Sequence, residues 1–257
     1  MASPSDPIRT TVVGGLACIT LDRPPVNVLT TAMMSDLAAE LRRVAADDAV
    51  RVVRLDAAGK AFSAGVDVGD HVGDLLPSMM AALAELFAAF ESVPQPVVAV
   101  VAGAALGGGL EVVLGCDLVV ASEKATFGQP EIKLGVFAPP ATVLLPRRIG
   151  LGPATGLLLT GGSVGAAEAK RLGLVNEVFP VDGFDAAAQA WIANLLALSG
   201  AALRCAKRAL RESSRLPVRE AHARLHDIYM NELMATEDAH EGLRAFVQKR
   251  PASWKHR

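Results

Sequence analysis

The spacing of apolar residues changes along the chain, and each change marks a passage between strand and helix. Ile8 to Val13 and Leu16 to Leu21 are short β-rich runs separated only by Gly14-Gly15, a pair that tolerates the positive φ of a tight turn, so they predict a hairpin. Pro24-Pro25 stops the second strand, and Met34, Leu37, Ala38, Leu41 and Val44 then recur at helical spacing as one buried face. Arg51 to Leu55 predicts a short strand. Leu75, Leu76, Met79, Leu83, Leu86, Phe87 and Phe90 form a second helical stripe, ended by Pro94 and Pro96, and Val97 to Ala102 reads as a strand directly after it. Downstream, Asp117 to Ala121 and Val175 to Phe179 predict strands, and Ala166 to Leu172 a short helix closed by Gly173. From Phe184 onward only helical patterns remain. Their stripes are Ala186, Trp191, Ile192 and Leu195, then Leu203, Ala206 and Leu210, then Leu225, Ile228, Tyr229 and Leu233, with Pro251 ending the last helix.

Strand, glycine-bearing turn and helix thus occur twice, once around Lys60 to Asp70 (KAFSAGVDVGD) and once around Gly103 to Gly115. This predicts an α/β fold with ligands at the carboxyl ends of strands, where open α/β sheets place them. Residues 1–183 are expected to form the α/β core, and residues 184–257 a helical cap packed on the body or on a neighbouring subunit.

Composition narrows the class. An apolar fraction of 51% with 20% charged residues is that of a soluble globular protein. A formal charge of −2 gives no footprint for nucleic acid or an anionic membrane surface. The opening MASPSDPIRTTVV lacks a secretory pattern, and no run of about 20 apolar residues escapes charge, Pro or Gly, so the expected location is the cytosol, without a membrane. Cys18, Cys116 and Cys205 lie far apart in apolar surroundings, as small core residues rather than as disulfides or metal ligands.

The chemistry gathers in GAALGGGLEVVLGCDLVVASEKATFGQPE, Gly103 to Glu131. Three consecutive glycines weaken a helix, a cost that makes sense if Gly107, Gly108 and Gly109 open one whose free N–H groups face a developing negative charge. A tight strand-to-helix connection would need the same residues. Glu111, three positions after Gly108, lies on the same helical face and tilts back toward the N-terminus. Its neighbours Leu110, Val112, Val113 and Leu114 are apolar, so its carboxyl should be desolvated and its neutral form favoured. Glu131 ends the irregular segment Phe127-Gly128-Gln129-Pro130-Glu131; it suits a pocket, or a surface ion pair with Lys133 or Arg147. Two carboxyls converging on one water are a direct route to adding or removing water by general acid–base catalysis.

Other motifs fail on their own spacing. Ser63 lacks the first glycine of a nucleophile elbow, Gly150 to Gly156 misses a dinucleotide fingerprint by one place, and Gly59-Lys60 lacks both ends of a phosphate loop. His222 and His226 have helical metal spacing, but Ala223 stands where a zinc protease needs Glu, so they are expected at the surface and no metal is expected. Asp67 and Asp70 are assigned to hydrogen bonds within their turn.

Taken with ITLDRPPVNVL, KAFSAGVDV, EAKRLGLVNEVF and the final EGLRAFVQKRPASW, the Gly103 segment resembles the crotonase, or enoyl-CoA hydratase/isomerase, family over nearly the whole chain. The resemblance implies a spiral of repeated ββα units with a C-terminal helical trimerisation region. It implies an acyl-CoA thioester as substrate, coenzyme A being part of it, with no separate cofactor, and a homotrimer or dimer of trimers. It further implies that the N–H groups of Val66 and Gly108 form an oxyanion hole for the thioester oxygen, beside Gly107. By the same resemblance Glu111 activates the water that attacks C3, Glu131 supplies the proton to C2, and Ala61 and Ala64 receive the adenine and pantetheine parts of coenzyme A.

One segment departs from the pattern. Many hydratases carry a glycine-rich turn where this chain reads GVFAPPATVLLPRRIG, and Pro139 and Pro140 donate no N–H bonds. With both glutamates present, KLGVFAPPA is more similar to hydratases of cyclic dienoyl-CoA thioesters such as cyclohexa-1,5-diene-1-carbonyl-CoA. Phe137 and Pro139 are the expected pocket wall, a flat slot beside them favouring a ring and an open tunnel a straight chain. Enoyl-CoA isomerisation, acyl-CoA hydrolysis and an inactive acyl-CoA-binding scaffold remain as alternatives.

Overall fold

The computed structural model of the protein describes residues 6–257. Strands β1 (Ile8–Val13) and β2 (Leu16–Leu21) pair antiparallel across Gly14 and Gly15, whose φ values of 58° and 87° are those the turn demands. Helix α1 (Thr31–Ala45) starts where the Thr30 hydroxyl accepts the Met33 N–H at 3.2 Å, and it buries Met33, Met34, Leu37, Ala38, Leu41 and Val44.

Three repeats follow, each of two strands and a helix. They are β3 (Val52–Ala57), β4 (Ala61–Ser63) and α2 (Leu76–Ser92); β5 (Val97–Val101), β6 (Ala104–Leu106) and α3 (Gly108–Gly115); then β7 (Leu118–Ser122), β8 (Thr126–Gly128) and, after a 3-10 turn at Pro130–Leu134, α4 (Pro139–Ile149). Next come α5 (Leu151–Thr160), β9 (Ser163–Gly165), α6 (Ala166–Leu172) and β10 (Glu177–Phe179). The first strand of each repeat joins a six-stranded sheet ordered β1-β2-β3-β5-β7-β10, and the second joins a four-stranded sheet ordered β4-β6-β8-β9. Pairing between successive repeats is parallel in both sheets, so each helix serves as the crossover and the chain winds as the expected ββα spiral.

The larger sheet is covered on both faces, which explains why all of β5 (VVAVV) is buried. Leu37, Leu86, Phe90 and Phe127 belong to the main core on one side. On the other, Leu16, Val52, Val98, Val100 and Val120 pack with Phe184, Ala188 and Ile192 of α7 (Phe184–Leu196). The stretch Gly73–Ser92 is long and apolar enough to cross a membrane by composition alone, yet α2 turns Met79, Leu83, Leu86 and Phe90 into this core. Leu75 and Leu76, expected in that stripe, are exposed.

Helices α8 (Gly200–Ser213), α9 (Val218–Asp227), a π-helical continuation at Ile228–Leu233 and α10 (Glu237–Val247) complete the chain. Polar anchors fix them. Lys207, buried on α8, donates to Gln95 C=O at 2.6 Å and pairs with Asp117 at 2.5 Å, while Arg211 donates to Asp117 at 2.9 Å. Buried Asp238 accepts the Ser199 hydroxyl at 2.5 Å and the N–H groups of Lys255 at 2.6 Å and His256 at 3.0 Å, which ties down the tail.

The structure corrects the inward faces read from the sequence here. Ala186, Ala206, Leu210 and Tyr229 are exposed, and α8 instead turns Gly200, Ala201 and the charged Lys207 inward, an arrangement apolar spacing does not reveal. Helices α4 and α5 carry no expectation from the sequence: Pro139, Pro140 and Pro146 interrupt the pattern, although the first two sit in the opening turn of α4, where a missing N–H is harmless. Of the cysteines only Cys116 is buried; Cys18 and Cys205 are partly exposed, and all three are unpaired.

Candidate active site

The first glycine turn leaves β4 at Ser63. The Asn27 side chain donates to Ala58 C=O at 2.8 Å and Ala61 C=O at 2.9 Å, and the Ser63 hydroxyl donates to Asn27 C=O at 2.7 Å and accepts the Gly65 N–H at 3.1 Å. Ser63 is therefore a structural residue of the turn. Leu29 N–H donates to Gly65 C=O and Asp67 N–H to Leu29 C=O, both at 2.9 Å, so Val66 between them turns its own N–H the other way. Asp67 accepts the Gly69 N–H at 2.9 Å, the role within the turn read from the sequence, whereas Asp70 departs from that reading: it accepts the Thr31 N–H and hydroxyl at 2.8 Å each and so ties the turn to the start of α1.

The second turn meets the first face to face. Gly107 adopts φ 55° and donates to Gly128 C=O at 2.9 Å, and α3 begins at Gly108. Each of the three glycines makes room for a different neighbour. A Cβ on Gly107 would lie 2.5 Å from Glu131 Oε1, one on Gly108 2.5 Å from Val66 Cγ2 and 3.1 Å from Val66 N, and one on Gly109 2.6 Å from Ser63 C=O. Among the described residues neither Val66 N–H nor Gly108 N–H is hydrogen-bonded to another group of the chain, and these two amides border one small space.

Glu111 closes the first turn of α3, its N–H donating to Gly107 C=O at 3.0 Å. Its side chain is buried, and Oε1 accepts the Ala141 N–H at 3.0 Å. Pro139 and Pro140 therefore leave Ala141 to supply an N–H at the start of α4, and the positive end of that helix faces the carboxyl. Burial raises the Glu111 pKa to about 8, opposed by the Ala141 bond and reinforced by the charge of Glu131.

Glu131 stands on the 3-10 turn Pro130–Leu134, closed by left-handed Gly135. It is half-buried and forms no ion pair among the described residues, so the alternative of pairing with Lys133 or Arg147 does not describe it. Burial raises its pKa, while its own backbone N–H and the charge of His71 pull the other way. The buried amide of Gln129, oriented by its surroundings, donates to Glu131 Oε2 at 2.9 Å, Oε1 at 3.2 Å and Gly107 C=O at 3.3 Å.

The remaining candidates divide. Ala61 is buried in β4 and its carbonyl is taken by Asn27, whereas Ala64 is exposed, its N–H donating to Val26 C=O at 2.9 Å. Phe137, 66% exposed, borders an apolar cavity of about 320 Å³ shared with Gln129, Glu131, Ala138 and Leu158. Pro139 lines a different cavity, of about 280 Å³, between α2 and α4 with Met80, Leu83, Phe87 and Leu144. The two do not form one slot, because α4 begins between them and separates their sides.

Gln129, Ala141 and His71 are the residues the sequence did not single out. Ala141 acts through its backbone and leaves no side-chain signal; Gln129 had one, an amide beside the Gly128 and Pro130 that bend the chain. The His71 ring is held by Nδ1 at 2.9 Å from Asp67 C=O. His222 and His226 are exposed, and among the described residues no group of three or more His, Cys, Asp or Glu converges as a metal site.

Comparison with known proteins gives a consistent picture. The family model described as enoyl-CoA hydratase/isomerase matches residues 11–257. The cyclohexa-1,5-dienecarbonyl-CoA hydratase of Thauera aromatica is 38% identical over 260 residues, all of both chains. The 2,3-dehydroadipyl-CoA hydratase of Escherichia coli is 36% identical over 93% of this chain and 94% of its own. The crystal structure of enoyl-CoA hydratase from Mycobacterium smegmatis superposes with a TM-score of 0.92 at 32% identity, covering 97% of this chain and 99% of that one. With the ββα spiral of those structures and a family match over nearly its whole length, the chain belongs to the enoyl-CoA hydratase/isomerase, or crotonase, family.

Proposed function

We propose that the protein is a hydro-lyase that reversibly adds water across the 2,3-double bond of an enoyl-CoA thioester. The observation that carries this reading is the meeting of two amides without a hydrogen-bond partner among the described residues, Val66 N–H and Gly108 N–H, with the carboxyls of Glu111 and Glu131 beside the same glycine turn. In this reading the amides receive the thioester oxygen, which gains negative charge as the nucleophile adds at C3; fixed donors aimed at such charge contribute about 3–4 kcal/mol each. Ionised Glu111 takes a proton from water as its oxygen bonds to C3, and neutral Glu131 gives a proton to C2. The proton gained by one acid equals that lost by the other, and exchange with solvent resets the pair. A pKa near 8 makes Glu111 a stronger base than an ordinary carboxylate, and the Ala141 N–H keeps its charged form accessible.

The chemistry needs no cofactor beyond the coenzyme A of the substrate, with Ala64 and Ala61 on the side assigned to it. We place the enzyme in the cytosol as a homotrimer or dimer of trimers, which the family resemblance and the exposed Leu210, Phe246 and Val247 of the cap support. A cyclic dienoyl-CoA is the second substrate reading, supported by full-length similarity to the Thauera aromatica hydratase.

Hydration of crotonyl-CoA and of cyclohexa-1,5-diene-1-carbonyl-CoA, measured in parallel, tests the proposal and ranks the two substrates. Glu111→Gln and Glu131→Gln are each expected to lower kcat by about 10²–10⁴-fold while acyl-CoA binding is kept. Failure of both thioesters to hydrate, with isomerised or hydrolysed product instead, would replace it with one of the other family chemistries.

A further inference from the structure

Gln129 lies at the junction of β8 and the 3-10 turn and is 1% exposed. Its amide touches both halves of the site: assigned so that the nitrogen faces the acceptors around it, it places that nitrogen 2.9 Å from Glu131 Oε2, 3.2 Å from Oε1 and 3.3 Å from Gly107 C=O. On the far side, a Cβ at Gly107 would sit 2.5 Å from Glu131 Oε1, so the carboxyl is confined between a bare Cα and a fixed donor.

We propose that Gln129 is a positioning residue for hydration: it holds Glu131 against the Gly107 turn and stabilises the carboxylate left when Glu131 gives its proton to C2. The proposal rests on the hydratase reading above. While Glu131 is neutral, the amide bond to it joins two neutral groups; once the proton has gone, the same contact is charge-assisted and about twice as strong. An interaction that strengthens along the reaction coordinate lowers the barrier, whereas one of constant strength only binds.

The charged groups that bear on Glu131 are accounted for. His71, on the turn after β4, favours its ionised form, and the charge of Glu131 in turn raises the pKa of Glu111 on α3. Lys133, on the same 3-10 turn, lies against Gly161 instead, where a Cβ would be 2.9 Å from its Cε. Gln129 is the uncharged donor in direct contact.

Gln129→Met keeps the length and burial of the side chain and removes both N–H groups. Glu131 is followed by difference infrared spectroscopy at the carboxylic-acid stretch, assigned by its loss in Glu131→Gln. The expected result is a Glu131 titration about one to two pH units higher than in the wild type, with kcat for hydration down about ten- to a hundredfold and KM within about twofold. In a Glu131→Gln background the same change should cost no further activity. An unmoved titration, or an equal loss in both backgrounds, overturns the proposal. Gln129→Glu, nearly isosteric, serves if the methionine variant does not fold; a second acid beside Glu131 should move the titration up still further. A shifted titration in a protein that hydrates no enoyl-CoA overturns the hydratase reading and the catalytic half of the proposal, and leaves the coupling of Gln129 to Glu131 supported.

Discussion

Glu111 is 3% exposed on a helix whose neighbouring positions 110 and 112–114 are all buried. Unfolded, it titrates as an ordinary glutamate; folded, its pKa is about 8. The native state therefore holds more protons than the unfolded state between those values, and stability falls as pH rises through that interval. Glu111→Gln removes the titrating group and keeps an acceptor for the Ala141 N–H. It is expected to match the wild type near pH 5 and to exceed it by about 2–4 kcal/mol above pH 8, a gain in stability bought with lost turnover. Urea denaturation at the two pH values reads this directly, and a constant difference across them would refute it. Both acids were legible in the sequence, Glu111 because an acid amid unbroken apolar residues is out of place and Glu131 because Gly128 and Pro130 bend the chain beneath it. The groups that tune them were not: the Ala141 amide and the Gln129 side chain acquire their meaning only when α4 and β8 are folded against α3.

At the scale of elements, the site depends on two turns being closer than side chains ordinarily permit. Gly108 has no positive φ to justify it; what excludes a side chain is Val66, whose Cγ2 and N would stand 2.5 Å and 3.1 Å from a new Cβ. Gly108→Ala should therefore push the turn after β4 away from the start of α3 and part the two amides. Hydration should fall about 10²-fold, the usual loss when one such donor is misplaced, and the thermal midpoint by a few degrees. Adding Val66→Ala removes the contact with Cγ2 but not the one with N, so partial recovery of turnover is the expected outcome. Full activity in the single variant would mean that the two amides do not act together. Sequence periodicity located the long strands and most helices of this frame because each buries at least one face in the core. It missed β4, β6, β8 and β9, which at three residues each are too short to show alternation, and it missed α4, where prolines that elsewhere stop a helix occupy its opening turn.

Across the whole molecule, the C-terminal helices are fastened to the spiral by burial and by charge. Helix α7 covers the outer face of the large sheet through Phe184, Ala188 and Ile192, and α8 inserts Lys207 against Asp117 and the Gln95 carbonyl at the entrance to β5. The Asp117 carboxylate also accepts the Val97 N–H at 2.8 Å, so one side chain joins α8 to the central strand. A cap held this way should not melt ahead of the body. The two tryptophans report on it separately, since Trp191 lies in α7 and Trp254 donates from the tail to Ala197 C=O at 3.0 Å, while far-ultraviolet circular dichroism follows the whole chain. Unfolding in urea is expected to give coincident midpoints for fluorescence and dichroism. Asp117→Asn leaves the Lys207 ammonium buried without its counter-charge and should lower the unfolding free energy by about 3–5 kcal/mol, an effect that the second change Lys207→Met should largely reverse by removing the stranded charge. A fluorescence midpoint that runs ahead of the dichroism in the wild type would instead make residues 184–257 an independently melting unit, and the buried ion pair at Asp117 would then not be what fastens the cap to the sheet.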